Sequence, residues 1–314
     1  MTEHFDADWL ALREPFDRAA RSVALARRLA DRLPRRPRLL DLGAGTGSLF
    51  RFLAPIIGRG QDWILLDADA ALLDDAFGRT AAWARRQGFA ATAPGNTLSV
   101  STPHGLWRMQ AVQHDLRAAL SALPSWPRLT RPSAPSPDAG KEDGRVKPGH
   151  DSGAQFDVDA VICSALLDLV SPAWLARLFD TLHVPLFASL TVDGRDVWQP
   201  RHPDDPLVFS AFRRDQRRNK GLGHALGIAA PAAALRALTA RGFATASAPT
   251  DWRIPCAALR LQRALIDGAA DAARDANPAR ARAITDWQAA RLRQAMRGRL
   301  AIRIGHRDIL AWPP

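Results

Sequence analysis

The sequence predicts an α/β protein with a doubly wound, seven-stranded, mostly parallel sheet. From Leu39 onward, short apolar runs alternate with segments of helical 3.6-residue periodicity. This alternation is typical of a parallel sheet covered by helices on both faces. A glycine-rich turn follows the first apolar run, and an acidic residue follows each of two later runs, at Asp67 and Asp115. The carboxyl ends of neighbouring parallel strands meet at one sheet edge, so these features predict a ligand crevice.

Length and composition favour either one large domain or a domain plus an appendage. The chain has 314 residues, of which 47% are hydrophobic. Its two cysteines, Cys163 and Cys256, exclude a disulfide framework and a cysteine-rich metal site. The acidic, polar N-terminus does not resemble a signal peptide, and no apolar run is long enough for a membrane span. We therefore expect a cytoplasmic protein with no membrane partner and no metal.

The net charge of +11 comes almost entirely from arginine. Lysine and arginine together number 43, and only Lys141, Lys147 and Lys220 are lysines. A strongly basic chain can bind nucleic acid. Abundant Ala, Arg and Pro with scarce Lys also fits a coding bias. A nucleic-acid partner is therefore possible but not favoured.

The first 37 residues are predicted to be mainly helical. Apolar positions repeat with helical spacing over residues 9–33, which predicts one helix. The opposite face carries arginines, among them Arg18 and Arg21. Pro34 and Pro37 then separate this helix from the first strand.

The segment Arg38–Phe50 is predicted to be a buried strand, a tight turn and the start of a helix. Gly43, Gly45 and Gly47 alternate in the turn, so the backbone can bend sharply and approach a ligand closely. The free N–H groups of the following helix point at whatever lies over the turn. The spacing is G-x-G-x-G, which differs from the dinucleotide fingerprint and from the phosphate-binding loop.

Acidic residues end the next two apolar strands. Asp67 follows the second strand and lies 20 residues after Gly47. At that distance an acid can accept hydrogen bonds from ribose hydroxyls. Asp69 is expected to cap the helix over residues 70–87. Segments 97–100 and 106–113 are predicted to pair as strands, and the second leads into Asp115.

Asp41 together with the three glycines resembles motif I of the class I S-adenosylmethionine-dependent methyltransferases, which have a Rossmann-like fold. The resemblance covers about residues 38–250. It implies that Asp67 holds the ribose hydroxyls, that Asp115 bonds the exocyclic amine of adenine, and that Arg13 or Arg21 pairs with the methionine carboxylate. The implied set of cofactor-binding residues is Asp41, Gly43, Ala44, Gly45, Gly47, Asp67, Ala68, Asp115, Leu116, Ser164 and Arg21.

The resemblance also implies a domain plan, in which residues 1–37 form an N-terminal helical lid over the cofactor. Residues 38–314 would form the methyltransferase domain. Its last two strands would be antiparallel partners at the sheet edge, with a helical insertion at residues 256–297 before the final strand. Residues 127–155 are rich in Pro, Ser and Gly without periodicity, so we expect a disordered surface insertion there.

Ser164–Asp168 falls where motif IV lies in the family and would face the methyl acceptor. The segment lacks the Asn-Pro-Pro-Tyr tetrapeptide of enzymes that methylate base amines. Asp168 could be an acceptor-side base or simply orient its loop. His224 lies in a glycine-rich loop and could be a general base or a solvent-exposed histidine. The predicted acceptor is an unidentified small molecule, methylated on an O, N or C atom.

Three other functions remain open. An RNA or protein methyltransferase could dock through the basic N- and C-terminal helices. A nicotinamide-dependent oxidoreductase is disfavoured, because the third glycine comes one residue early for the dinucleotide fingerprint. A non-catalytic relative that binds a partner is the last alternative.

Overall fold

The computed structural model describes residues 6–117, 158–219 and 221–313. The expected insertion at 127–155 lies outside these ranges. Strands and helices alternate as the sequence predicts, and a large sheet forms the centre of the fold. The strands are Arg38–Leu42 (β1), Gln61–Asp67 (β2), Ala90–Thr92 (β3), Thr97–Thr102 (β4), Gly105–Gln113 (β5), Ala160–Ser164 (β6), Leu186–Val192 (β7), Val197–Gln199 (β8), Ala244–Pro249 (β9), Trp252–Ile254 (β10), Ala301–Ile304 (β11) and His306–Trp312 (β12).

The central sheet has nine strands rather than the seven expected. Their order is β3-β4-β5-β2-β1-β6-β7-β12-β9. The five strands from β5 to β7 pair in parallel, whereas the pairings β3–β4, β4–β5, β7–β12 and β12–β9 are antiparallel. The sheet is therefore mixed. The extra strands are β3 and β4, which precede β5 in the sequence and form an antiparallel edge next to it.

Two features of this sheet position a ligand site. β2 and β5 lie on one side of β1, and β6 and β7 lie on the other, so the strand order reverses next to β1. Ligands bind outside the carboxyl ends of strands at such a switch point. The last two strands, β9 and β12, are antiparallel partners at the edge, as expected.

The helices cover both faces of the sheet and extend beyond it. A helix follows the glycine turn at residues 48–57, as expected, and Ser171 caps the helix that begins at Pro172. The helices are Ala7–Ala20 (α1), Val23–Ala30 (α2), Ser48–Ile57 (α3), Ala70–Arg86 (α4), Pro172–Asp180 (α5), Asp205–Gln216 (α6), Ala230–Ala240 (α7), Leu259–Ala276 (α8) and Ala281–Met296 (α9). None of the helices in the described ranges is both long and apolar enough to cross a bilayer.

The N-terminal segment is two helices, not the single helix expected from its periodicity. α1 ends at Ala20 and α2 begins at Val23. Ser22 has an extended backbone and its side chain accepts a hydrogen bond from Leu25 N, which is the geometry of an N-cap. The Ser22 N–H donates to Asp308 instead of continuing the first helix.

A second, three-stranded sheet was not predicted. It has the order β10-β11-β8 and is antiparallel. Residues 298–312 were expected to form one closing strand with a turn. Gly305 divides them, so that β11 joins the small sheet and β12 joins the large one.

Three hydrophobic clusters fill the structure. One lies under α2, α3 and α4, and another lies on the opposite sheet face under α5 and α7. The third joins the small sheet to α6, α8 and α9, with Trp198 and Trp287 fully or almost fully buried at its centre. Trp9 and Phe16 of α1 pack on this third cluster. Helix α1 therefore connects the large sheet to the group formed by the small sheet, α6, α8 and α9.

The buried carboxylate of Asp308 connects three parts of the chain through hydrogen bonds. It accepts hydrogen bonds from Ser22 N at 2.8 Å, Leu190 N at 2.8 Å, Ser189 Oγ at 3.0 Å and Thr250 Oγ1 at 3.1 Å. Leu190 has a left-handed backbone with φ of 55°, and the β7–β12 register shifts at this point. The bulge in β7 is thus stabilised by a side chain from its neighbour.

We predict that Asp308→Ala will lower the free energy of unfolding by about 3 kcal/mol, because two buried backbone N–H groups and two hydroxyls lose their acceptor. Urea denaturation measures this loss. Asp74→Ala, on the exposed face of α4, is the control and should change stability by less than about 0.5 kcal/mol. Equal effects of the two substitutions would contradict the conclusion that the hydrogen bonds of Asp308 stabilise the fold.

Candidate functional site

The glycine turn has the left-handed backbone that its sequence predicts. The φ angles of Gly43, Gly45 and Gly47 are 66°, 51° and 76°. The N–H groups of Gly43 and Ala44 both donate to the Leu66 carbonyl, at 2.9 and 3.0 Å, which ties the turn to the end of β2. Only glycine adopts this backbone without a steric cost, which is about 1–2 kcal/mol for other residues. The sequence therefore determines the turn locally.

Asp67 is the second tie between the turn and β2. Its Oδ2 accepts from Gly45 N at 2.8 Å, and its Oδ1 accepts from Asp69 N at 3.0 Å. Each carboxylate oxygen has two lone pairs, so both can accept one further hydrogen bond. Burial raises the pKa of Asp67, which the two backbone N–H groups oppose. Asp69 caps α4 through Ala71 N, as expected.

Asp41 is a buried acid whose carboxylate accepts no hydrogen bond from the described residues. Its side chain is 1% exposed, and neither carboxylate oxygen has a partner within the described ranges. Burial raises the pKa of Asp41 well above its usual range; the Arg21 charge lowers it and the Asp67 charge raises it further. A buried carboxylate without a donor is costly unless a ligand supplies one. The residue therefore fits a cationic or N–H-bearing group.

Arg21 lies at the break between α1 and α2 and is buried. Its guanidinium donates to Ser48 O at 3.1 Å, Ser48 Oγ at 3.0 Å and Ser164 Oγ at 2.9 Å. Burial lowers the pKa of Arg21, whereas the charges of Asp17 and Asp308 raise it. Arg21 thus joins the N-terminal segment to the start of α3 and the end of β6.

Asp115 lies at the end of the third parallel strand and is partly exposed. The Arg117 side chain holds it through Nε at 2.6 Å, and Arg117 N donates to it at 2.8 Å. These contacts lower the pKa of Asp115, so it is ionised near neutral pH. The next residue, Leu116, is buried, and its carbonyl accepts from Trp174 Nε1 at 2.8 Å.

A cavity of about 230 Å³ lies over the turn and the strand ends. Nine of the eleven residues predicted to bind the cofactor line it: Asp41, Gly43, Ala44, Gly45, Asp67, Ala68, Asp115, Leu116 and Ser164. The sequence thus predicted which residues meet at this edge.

Four other predicted residues lie off the cavity lining. Gly47 caps α3 and faces α4, where an added Cβ would be 3.3 Å from Ala76 Cβ. Arg21 reaches the lining only through Ser48 and Ser164. Asp168 is buried, and its backbone carbonyl accepts from Gly227 N. His224 is exposed on its loop.

α1 supplies cavity residues that sequence reasoning largely missed. Leu10, Arg13 and Asp17 all line the cavity, and of these only Arg13 was named from the sequence. Their spacing of three and four residues places them on one helix face, which was the available signal. Arg13 Nε donates to Asp17 Oδ2 at 3.0 Å, and Asp17 Oδ1 accepts from Trp252 Nε1 at 3.0 Å.

A buried arginine holds α1 against the turn. Arg51 of α3 pairs with Glu14 through Nε at 2.7 Å and NH2 at 2.6 Å. Its NH1 donates to the Thr46 carbonyl at 2.7 Å and to Thr80 Oγ1 at 3.0 Å. The bidentate pair and the two further bonds satisfy most of the guanidinium, which a buried charge requires. The lining face of α1 is therefore fixed over the glycine turn.

Comparisons with known proteins identify similar folds only. No family model and no curated protein matches the chain. Among solved structures, the cyclopropane synthase MmaA2 from Mycobacterium tuberculosis is 11% identical, with 92% of this chain and 83% of that one covered and a TM-score of 0.40. Geranyl diphosphate C-methyltransferase from Streptomyces coelicolor A3(2), solved with S-adenosyl-L-homocysteine, is 15% identical (93% and 80% covered, TM-score 0.37).

The cyclase SpnF has the same TM-score of 0.37 at 16% identity, with 93% of this chain and 81% of that one covered. Proteins with different named activities therefore match equally well. Likenesses at this level support no argument about activity, and the site must be interpreted from its own residues.

We predict that Asp41→Asn will stabilise the protein relative to wild type more at pH 8 than at pH 5. The Asp41 pKa is raised in the folded state, so the native protein binds this proton more tightly than the unfolded chain, where the pKa is about 3.9. Stability from this group is therefore lost as pH rises through the folded pKa. The asparagine side chain does not ionise, so the variant does not lose this stability as the pH rises.

Urea denaturation of both proteins at the two pH values measures this difference. Asp74→Asn, at an exposed position, is the control and should show the same stability difference from wild type at both. If the stability difference between Asp41→Asn and wild type is the same at both pH values, the raised pKa of Asp41 is contradicted.

Proposed function

We propose that this protein is an S-adenosylmethionine-dependent methyltransferase that transfers a methyl group to an O, N or C atom of a small molecule. The observation that carries the proposal is the set of three acids, Asp41, Asp67 and Asp115, at the ends of β1, β2 and β5 around one cavity. These strands are adjacent in the sheet. The acids therefore face successive parts of a single ligand.

The acids fit the polar groups of this cofactor. Asp67 has spare lone pairs for the ribose hydroxyls. Asp41 lacks a donor among the residues that the structure describes, and the ammonium of the methionine moiety would supply one. Asp115 is ionised and partly exposed, so it can accept from the exocyclic amine of adenine. Gly43, Ala44, Gly45, Gly47, Ala68 and Leu116 would shape the backbone and walls around the ligand.

Two arginines are candidates for the methionine carboxylate. Arg13 lines the cavity directly. Arg21 lies behind Ser48 and Ser164, both of which line the cavity, and its Nε has no partner among the described residues. We infer that Arg21 sets the orientation of the two serines and adds positive charge at this end. Asp41 close by would bind the ammonium of the same amino-acid group.

The charges of the lining disfavour a nicotinamide dinucleotide. The cavity carries four carboxylates (Asp17, Asp41, Asp67, Asp115) and two guanidiniums (Arg13, Arg117). Both guanidiniums are already bonded to one of these carboxylates. A dinucleotide would bring a diphosphate to a lining on which both guanidiniums are already paired with carboxylates. A ligand that carries a sulfonium and an ammonium group matches the cavity lining better than a dinucleotide does.

The bound cofactor supplies an electrophilic methyl group on a sulfonium. The chain itself aligns the reactants and excludes water. α1, held by Arg51 and Glu14, closes one side of the cavity. A protein base is needed only if the acceptor must lose a proton. Asp168 and His224 were candidates, but neither lines the cavity, so we assign no proton transfer to them.

The alternative of an RNA or protein methyltransferase depends on the basic N- and C-terminal helices. The N-terminal helices expose Arg18, Arg27 and Arg28. Arg291 is fully buried against Asp205 and the Pro200 carbonyl, so it cannot dock a partner. Arg274 is bonded to Gln288 and Asp271. Exposed arginines in and next to these C-terminal helices remain for this alternative, among them Arg260, Arg263, Arg280, Arg282, Arg293 and Arg297. Salt-dependent RNA binding would favour it.

We predict that Asp67→Asn will weaken S-adenosylhomocysteine binding by at least about tenfold, because a carboxylate hydrogen bond to ribose is worth about 1.5–3 kcal/mol. Isothermal calorimetry measures the affinity. Asp69→Asn, which preserves a capping residue, is the matched control and should bind normally. Wild-type protein that binds NAD but neither S-adenosylmethionine nor S-adenosylhomocysteine would contradict the proposed function.

We also predict that S-adenosylhomocysteine binding is linked to proton release from Asp41. The raised pKa favours the protonated carboxyl in the free protein, whereas an ammonium ligand requires the ionised form. Affinity should therefore be lower at pH 6 than at pH 8. Calorimetry in two buffers of different ionisation enthalpy counts the protons, and Asp41→Asn should abolish the release. Unchanged proton counts in that variant would assign the release to another group.

A further inference from the structure

A second cavity, of about 340 Å³, lies between α1, the segment that follows β7 and the turn that joins β9 to β10. It shares no lining residue with the cavity over the glycine turn. Its volume is within the range of small-molecule sites. α1 contributes to both cavities, since Leu10 and Arg13 line the first, whereas Phe16, Ala19 and Ala20 line the second. The proposed cofactor site therefore does not account for the second cavity.

One part of the second cavity is apolar. Ala19 and Ala20 of α1 place only methyl groups on the lining, so the helix leaves room for a ligand. Phe16 is held by packing against the third hydrophobic cluster, and Pro249 is exposed at the end of β9. A hydrocarbon group that covers these side chains leaves water, which is favourable. This part of the lining therefore fits the apolar portion of a ligand.

Charged side chains also line the second cavity, and Arg195 compensates the acids among and behind them. The Asp251 side chain is only 10% exposed, and its two oxygens accept from Arg195 at 2.7 and 3.4 Å. Arg195 also donates to Asp193 at 2.6 Å and to the His306 carbonyl at 3.1 Å. Nearly buried carboxylates require such partners. Arg195 and Asp251 therefore form a fixed part of the lining.

Two further arginines have side-chain N–H groups to spare at this place. Arg253 lines the second cavity and is directly opposite Arg303 in the antiparallel pair β10–β11, and both are exposed. Within the described residues, the Arg253 side chain has no hydrogen bond or ion pair, and that of Arg303 has only a 3.7 Å contact with Asp251. Like charges directly opposite each other destabilise a strand pair. An anion that binds both guanidiniums would offset this repulsion.

We propose that the second cavity binds a small amphipathic anion, whose carboxylate or phosphate group contacts Arg253 and Arg303 and whose apolar portion lies on α1 and Pro249. Guanidinium groups bind both kinds of anion through charge-assisted, often bidentate hydrogen bonds. Arg253 and the apolar side chains line the same cavity, so a ligand with both kinds of group matches it best. The inference does not rest on the proposed cofactor, because the two cavities share no lining residue.

The probes are octanoate and octyl phosphate, their shorter analogues butanoate and butyl phosphate, and uncharged octanamide, titrated by calorimetry near neutral pH at low ionic strength. At least one of the two octyl anions should bind at a single site. Octanamide should bind at least about tenfold more weakly, because it cannot form charge-assisted hydrogen bonds with the arginines. The butyl analogue should also bind at least about tenfold more weakly, because it buries less apolar surface.

Arg253→Gln and Arg303→Gln each remove one exposed guanidinium and should weaken binding of the tighter octyl anion by about tenfold. Arg86→Gln, at an exposed position of α4, is the matched control and should bind like wild type. Ala19→Glu adds a carboxylate to the lining and should weaken binding at least as much, by repulsion. Its matched control is Ala232→Glu, at an exposed position of α7. Circular dichroism confirms that the variants fold.

The proposal is wrong if neither octyl anion binds, if octanamide binds as tightly, or if chain length has no effect. It is also wrong if the arginine variants bind like their control, because the anion then lies elsewhere. Saturating S-adenosylhomocysteine should not displace the anion, and displacement would place the anion in the cofactor cavity instead. If S-adenosylhomocysteine itself does not bind, only the proposed function fails, because the variants still locate the anion.

Discussion

The site depends on one backbone constraint, the left-handed glycine turn that is hydrogen-bonded to the end of β2. Leu66 O accepts from two successive N–H groups of the turn, and Asp67 accepts from a third at Gly45. Because the same carboxylate also bonds Asp69 N, the turn, the strand end and the cap of α4 form one unit. Any residue with a Cβ at these glycines would disturb the turn itself.

Buried arginines extend this unit to the N-terminal helices. Arg51 joins the turn to Glu14 of α1, and Arg21 joins Ser48 and Ser164 to the break before α2. Such groups are stable when buried only because most of their N–H groups have acceptors. Both arginines therefore position the helix face that closes the cavity. The charge that gives the chain its basic character is thus partly structural.

The lining of the cavity differs in composition from the chain as a whole. The chain carries a net charge of +11, yet the lining residues include four aspartates and two arginines. Net charge alone would favour a polyanion as partner. The local arrangement favours a cationic cofactor, since Asp41 is buried without a donor among the described residues. The location of charges, rather than their sum, decides which ligand fits.

The sequence by itself determined the turn, the strand ends and the acids that follow them, because each depends on a few adjacent residues. Gly43, Gly45 and Asp67 could therefore be placed at one sheet edge from spacing alone. Contacts between distant residues were decided only by the tertiary structure. The first helix breaks because Ser22 N bonds Asp308, 286 positions later. Likewise, Leu10 and Leu222 enter the cavity through packing that no local pattern encodes.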